Sequence, residues 1–145
     1  MTEANTLVAV DSLVANEFEV ELEGETMLGV FRIDGLTTLS LNEKGERTLQ
    51  PFKLVKMVQR DGNNPFNKWL RETMTTIGPE RPRRELAVVA VDDGVETRRW
   101  VVQGAWISEV RYNTFDTAST EMVEEIATIQ YDALTEIWSA TPDLE

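Results

Sequence analysis

In "EFEVELE" at residues 17–23, Phe18, Val20 and Leu22 fall on one side of an extended chain and Glu17, Glu19, Glu21 and Glu23 on the other. That period-two alternation predicts a half-buried strand with a solvated acidic face. "LGVFRIDGL" predicts a second short strand, ended by the turn pair Asp34-Gly35. After the polar loop "SLNEKGER" comes another strand, "LQPFKLVKMVQ", with Pro51 near its start, where a missing N–H is tolerated. Then the period changes. In "NNPFNKWLRETMTTIGP", Phe66, Trp69, Leu70, Thr73 and Ile77 fall at helical spacing, with Asn64 as N-cap, Pro65 at the first helical position and Gly78-Pro79 as a stop. A helix over Pro65–Ile77 is predicted, with Trp69 in the core and Lys68, Arg71 and Glu72 wet.

"ELAVVAVD" and "VETRRWVVQ" flank Asp93-Gly94, a two-residue type I′ hairpin signal. A turn there pairs Val91 with Glu96, Val89 with Arg98 and Ala87 with Trp100. The first of these strands is apolar on both faces, so its second face needs a cover from the helix, another sheet or another chain. Arg98 and Arg99, beside Trp100, could bind an anion or stack on a base, but a cross-strand salt bridge and an aromatic packing contact are the favoured reading. Gly104 predicts a bulge or bend, beyond which Trp106, Ser108, Val110 and Tyr112 alternate with Ile107, Glu109 and Arg111. "STEMVEEIATIQYDALTEIW" fits two periods: Val123, Ile126, Ile129, Ala133 and Ile137 keep a helical one, whereas Ala127, Ile129 and Tyr131 alternate with Thr128, Gln130 and Asp132. Periodicity alone slightly favours the helix. Many short strands around one helix predict a compact sandwich or barrel.

With 145 residues the chain suits one domain, and a hydrophobic fraction of 41% suits a packed core. No apolar run approaches the ~18 residues of a membrane span. The opening "MTEANTLVAVDSLVANEFEV" lacks the basic region of a secretory signal and reads as mature sequence. Chemistry is hard to place. Without cysteine or histidine there is no thiol nucleophile, no ordinary general base and no usual transition-metal ligand. The carboxylates of "EFEVELEGE" and Glu124-Glu125 read as solvated surface. Asp92-Asp93-Gly94 fails as a calcium loop, because Val95, Thr97 and Arg99 fill the liganding positions, and no Gly-rich phosphate loop exists. No enzyme, cofactor or metal is therefore expected. The net charge of −12, from 26 acids against 14 bases, repels phosphate backbones. The one basic cluster, "ERPRRE" at residues 80–85, is short and flanked by acids, so no sequence-specific nucleic-acid binding is expected.

The order of features resembles the tail tube proteins of contractile phages and the inner tube proteins of contractile injection systems. The resemblance covers roughly residues 16 to 138. It rests on Gly35-Leu36, "FNKWL" with Trp69, Arg84 before an apolar strand, the Asp93-Gly94 hairpin, Trp100, and Ala105-Trp106. It implies a mainly β (α+β) fold, in which two packed antiparallel sheets form a barrel-like sandwich with one flanking helix, in a single domain over residues 1–145. It also implies that "EMVEEIATIQYDAL" is a strand, against the period. Hexameric rings stacked into a tube, sheath, baseplate and cap partners, cargo in the lumen, and no catalytic residue or membrane anchor all follow from the resemblance. The location implied is a virion tail or a phage tail-like particle assembled in the cytoplasm. The lumen wall is expected to carry either Glu17, Glu19 and Glu21 or Glu124, Thr128 and Gln130. Trp100 and Trp106 are expected in the core or at a subunit contact. The "NEKGER" loop is shorter than the excursion such proteins often carry there, which leaves room for a tube-initiating or terminator paralogue, with a baseplate-proximal paralogue as a further alternative. A type VI secretion tube protein and a monomeric β-barrel with a small ligand are the other readings.

Overall fold

The computed structural model describes residues 17–76 and 78–138. Strand β1 (Phe18–Leu22) turns through Glu23-Gly24 into the two-residue β2 (Glu25–Thr26), and β3 (Val30–Asp34) follows. A long loop leads to β4 (Phe52–Met57) and then to helix α1 (Pro65–Thr75). The chain continues through β5 (Arg84–Asp92), the 18-residue β6 (Val95–Tyr112), β7 (Glu124–Gln130) and β8 (Ala133–Ile137). The segment with two competing periods is thus strand, broken in two at Tyr131-Asp132. Every pairing is antiparallel, in the order β2-β1-β5-β6-β7-β4-β3, with β8 also on β6.

Strand β6 is long enough to serve two half-sheets. Its first part pairs with β5 and β8, and from Trp106 onward it pairs with β7. Between the two parts Gly104 takes φ +66°, which favours glycine at the bend, and a Cβ there would also have to displace the Asp132 carboxylate. The halves fold over one core, to which Val20, Leu22, Leu86, Val88 and Val102 come from one side and Phe52, Leu54, Ile107, Ala127 and Ile129 from the other. The result is a sandwich; the sheet does not close into a barrel.

Helix α1 starts as expected. Asn64 caps it by accepting a 2.8 Å hydrogen bond from the Asn67 N–H, and Pro65 opens it. It buries Phe66 and Trp69 in the core, Leu70 packs partly against them, and Lys68, Arg71 and Glu72 stay exposed. The Trp69 indole N–H donates to the Pro82 carbonyl at 2.9 Å, satisfying the one polar atom that its burial would strand. The helix ends at Thr75, short of the expected Ile77, which lies outside the described residues.

The Asp93-Gly94 hairpin forms with φ +53° and +79°, as a type I′ turn requires. Val91 opposes Glu96, but Val89 opposes Arg99 and Ala87 opposes Val101, one residue beyond the expected partners. Thr97 is the cause: it sits as an extra residue between the pairs Val91–Glu96 and Ala90–Arg98, its hydroxyl donating to the Ala90 carbonyl. This bulge turns Trp100 inward beside Val88 and Arg99 outward beside Val89. A second bulge at Ser108 leaves Ile107 and Val110 packed against the core, instead of the simple alternation expected there.

The doubly apolar strand β5 is covered within the chain itself. Leu86, Val88 and Ala90 share one face with Val20, while Ala87 and Val89 lie on the other beside Glu21 and Glu19. Arg99 reaches over that outer face from β6 to Glu21 on β1 at 2.7 Å, and also binds Glu96. On that face Ala87 and Val89 are only 5% and 2% exposed. The outer face of β1 is therefore not fully solvated.

Candidate assembly interface

No group of acidic side chains among the described residues could hold a metal ion. One open groove is lined by Phe31, Met57, Met122 and Glu124. The features that stand out are sheet edges and exposed apolar side chains. In the second half-sheet, β4 and β7 are paired on both sides, but among the described residues β3 pairs only with β4. Strand β6 loses its β5 partner after the Arg84–Ala105 pair, so among the described residues 106–112 pair only with β7. That half-sheet ends in two unpaired edges of useful length on opposite sides. The first half-sheet ends in the two-residue β2 and the five-residue β8.

The strands of the second half-sheet also set its two ends. At one end Leu28, Phe31, Met57, Val58 and Met122 are exposed around the start of β3 and the end of β4. At the other, the loop between β3 and β4 exposes Leu39, Leu41 and Leu49. In that loop a small hairpin forms, with Leu41 bridged to Arg47 and the Asn42 side chain accepting from the Lys44 and Glu46 N–H groups. So many large apolar side chains in contact with water suit a surface made to be covered.

Between the half-sheet and the helix lies a buried ion pair that sequence reading missed. Lys56 is 0% exposed and Glu125 3%; they oppose each other on β4 and β7, with Nζ 3.3 Å from Oε1. Lys56 also donates to the Met57 carbonyl and stands 4.9 Å from the Phe66 ring centroid, while the Tyr112 hydroxyl donates to Glu125 Oε2 at 3.0 Å. No buried side-chain nitrogen or oxygen of the pair lacks a hydrogen-bond partner. Burial first, then the bond to Glu125, holds the Tyr112 phenol above its ordinary range.

Near the β8 edge, Glu136 accepts from the Thr38 hydroxyl at 2.7 Å, from Trp138 at 2.9 Å and from Trp100 at 3.1 Å. These bonds, that from Thr38 foremost, together with Arg98 at 3.2 Å, keep its carboxyl below the usual glutamate range despite partial burial. Arg99 is held well above its ordinary value by the bond to Glu96 and then that to Glu21.

Comparison with known proteins assigns these features to a family. The family model described as "T4-like virus tail tube protein gp19" matches residues 14–135. The chain belongs to that family. Its members are structural tube proteins, and this chain is a tail tube component of that kind. Among curated proteins none matches. Among solved structures, the fold is similar to that of a chain in the PVC extracellular contractile injection system sheath–tube complex in its extended state. The TM-score is 0.70 at 14% identity, over 95% of this chain and 99% of that one. A chain of the anti-feeding prophage tube-terminating cap gives 0.72 at 17% identity, over 88% and 92%. Hcp1 from Flavobacterium johnsoniae gives 0.53 at 11%, over 83% and 94%.

Within this tail tube protein, the residues that carried the resemblance occupy distinct environments. Gly35 ends β3 with φ +82°, and Leu36 packs against the core. Trp69 and Ala105 are fully buried, and Trp100 is partly so. Arg84 opens β5 and pairs with Glu72 of the helix. Trp106 lies on the outer face, half-buried beneath Arg81, whose guanidinium carbon is 4.2 Å from the ring centroid, with Arg83 at 6.0 Å. Glu124, Thr128 and Gln130 share the outer face of the second half-sheet with Lys53 and Glu109. Glu125, read as surface, points the other way.

Proposed function

We propose that this chain is the repeating inner-tube subunit of a contractile phage tail or injection system, closing into six-membered rings that stack around a channel. The observation that carries this reading is the second half-sheet with its two unpaired edges. One heterologous contact between β3 and β6, repeated around an axis, removes every such edge and forms a closed ring. The sequence resemblance sets the ring at six. Exposed apolar side chains at both ends of the same half-sheet support stacking of ring on ring.

In such a ring the outer face of the second half-sheet turns toward the axis, since its other face is the core. Of the two acidic faces considered, this favours Glu124, Thr128 and Gln130 as lumen residues. Lys53 and Arg111 share that face, so the wall we propose is polar with both signs of charge. Glu17, Glu19 and Glu21 lie on the other half-sheet, and Glu21 is tied to Arg99. Residues 16–138 act as a single structural unit without catalysis, and the cargo passes through the lumen. Sheath, cap and baseplate proteins are its neighbours, as the names of the similar structures suggest. The setting is a phage tail or tail-like particle; among the described residues no helix is long and apolar enough to cross a membrane. One feature favours a second reading. The short 42–47 hairpin gives less reach toward the next ring, as suits a subunit at a tube end. Native mass spectrometry of the purified chain tests the ring. Hexamers are expected, and a monomer at every concentration overturns the reading in favour of a monomeric binding module.

A further inference from the structure

The two unpaired edges carry opposite charge patterns on the same face of the sheet. Strand β3 is antiparallel to β4, β4 to β7 and β7 to β6, so β3 and the far edge of β6 run in opposite directions. A second copy can therefore lay its β3 antiparallel along residues 106–112 and continue the sheet. On β3, Arg32 and Asp34 oppose Val55 and Lys53, on the outer face. On β6, Trp106 and Glu109 oppose Gln130 and Thr128, on that same face. Where β5 leaves β6, Arg81 rests on the Trp106 ring, and no carboxylate lies within ion-pair distance of it among the described residues. Glu109 likewise has no cationic partner there.

We propose that β3 of one copy docks on the free edge of β6 of the next in a register fixed by charge. Asp34 of the neighbouring copy faces Arg81 above Trp106, and Arg32 of the neighbouring copy faces Glu109. This deepens the ring reading above and rests on it. The order along β6 is cation then anion, and along the antiparallel β3 it is anion then cation, so both contacts are met in one register. A two-residue slip brings Arg32 under Arg81 and leaves Glu109 unmatched, which disfavours the alternative. Arg32 and Asp34 already hold each other at 3.0 Å while about half exposed, so the pair is pre-formed and reachable.

Charge reversal tests it. Arg81→Glu, Asp34→Arg and the double variant are compared with the unmodified chain by light scattering coupled to size exclusion, with thermal melts as a check on folding. Each single reversal is expected to raise the protein concentration needed for rings roughly tenfold or more, and the double to recover most of that loss. Glu109→Lys with Arg32→Glu provides a second cycle if Arg81→Glu disturbs the fold through Trp106. Single variants that assemble like the unmodified chain, or doubles no better than the worse single in both cycles, overturn the register. An unmodified chain that never forms rings overturns the ring reading itself.

Discussion

Removing either member of the Lys56–Glu125 pair leaves the other charge in the core without its counter-ion. Glu125→Leu or Lys56→Met alone should cost about 3–5 kcal/mol, and the two together far less, because an apolar pair needs no compensation. Denaturant unfolding of the unassembled subunit measures the cycle; single variants within about 1 kcal/mol of the parent contradict it. Tyr112 adds a pH effect. With its folded pKa raised, the fold favours the neutral phenol, so this contribution is complete below the ordinary value of about 10 and is lost as pH rises through the folded value. Tyr112→Phe should flatten the alkaline fall in stability, leaving the part due to Tyr131, also raised by burial. An unchanged alkaline slope contradicts this. The pair was legible in principle: Lys56 alternates in step with Phe52 and Leu54, a cation on an apolar face. Glu125 was hidden by Glu124 beside it, since adjacent carboxylates look like surface until strand alternation sends them to opposite faces.

The elements with strong local chemistry could be read from the sequence, because capping and turn geometry depend on neighbours in the chain. Asn64-Pro65 and Asp93-Gly94 are such cases, and Gly104 marked its bend by being glycine. Gly94→Val, forced to positive φ, should cost about 1 kcal/mol or more, and an unchanged melting temperature contradicts the turn assignment. Trp69→Ala should cost roughly 3–5 kcal/mol in the same assay, by emptying a core site and leaving the Pro82 carbonyl without its donor; a loss under about 1 kcal/mol contradicts its core role. The bulges at Thr97 and Ser108 were not legible. Neither is glycine, and their positions follow from how β6 must twist to serve two half-sheets. Residues 121–134 misled by period because β7 has a half-buried outer face that includes Ile126, which completes a helical spacing. Resemblance, not periodicity, gave the strand there.

At the scale of the whole molecule, the doubly apolar strand β5 needs no other chain to bury its second face, since Ala87 and Val89 are already buried within one chain, on the face that the Arg99 ion pairs with Glu21 and Glu96 cross. What favours assembly instead is the free edges of β3 and β6 and the exposed leucines, which no single-strand pattern reveals. The net charge of −12 opposes association over distances that salt screens, about 10 Å at 0.1 M, whereas the contacts between edges are short-range. Longer stacks are therefore expected as salt rises. Electron cryo-microscopy of the chain concentrated in moderate salt tests the central claim most directly. We predict six-fold rings in which β3 of each subunit continues the sheet at residues 106–112 of the next, with Thr128 and Gln130 facing the channel. Particles that remain monomeric at high concentration and across salt, or rings in which both of those edges face solvent, contradict it.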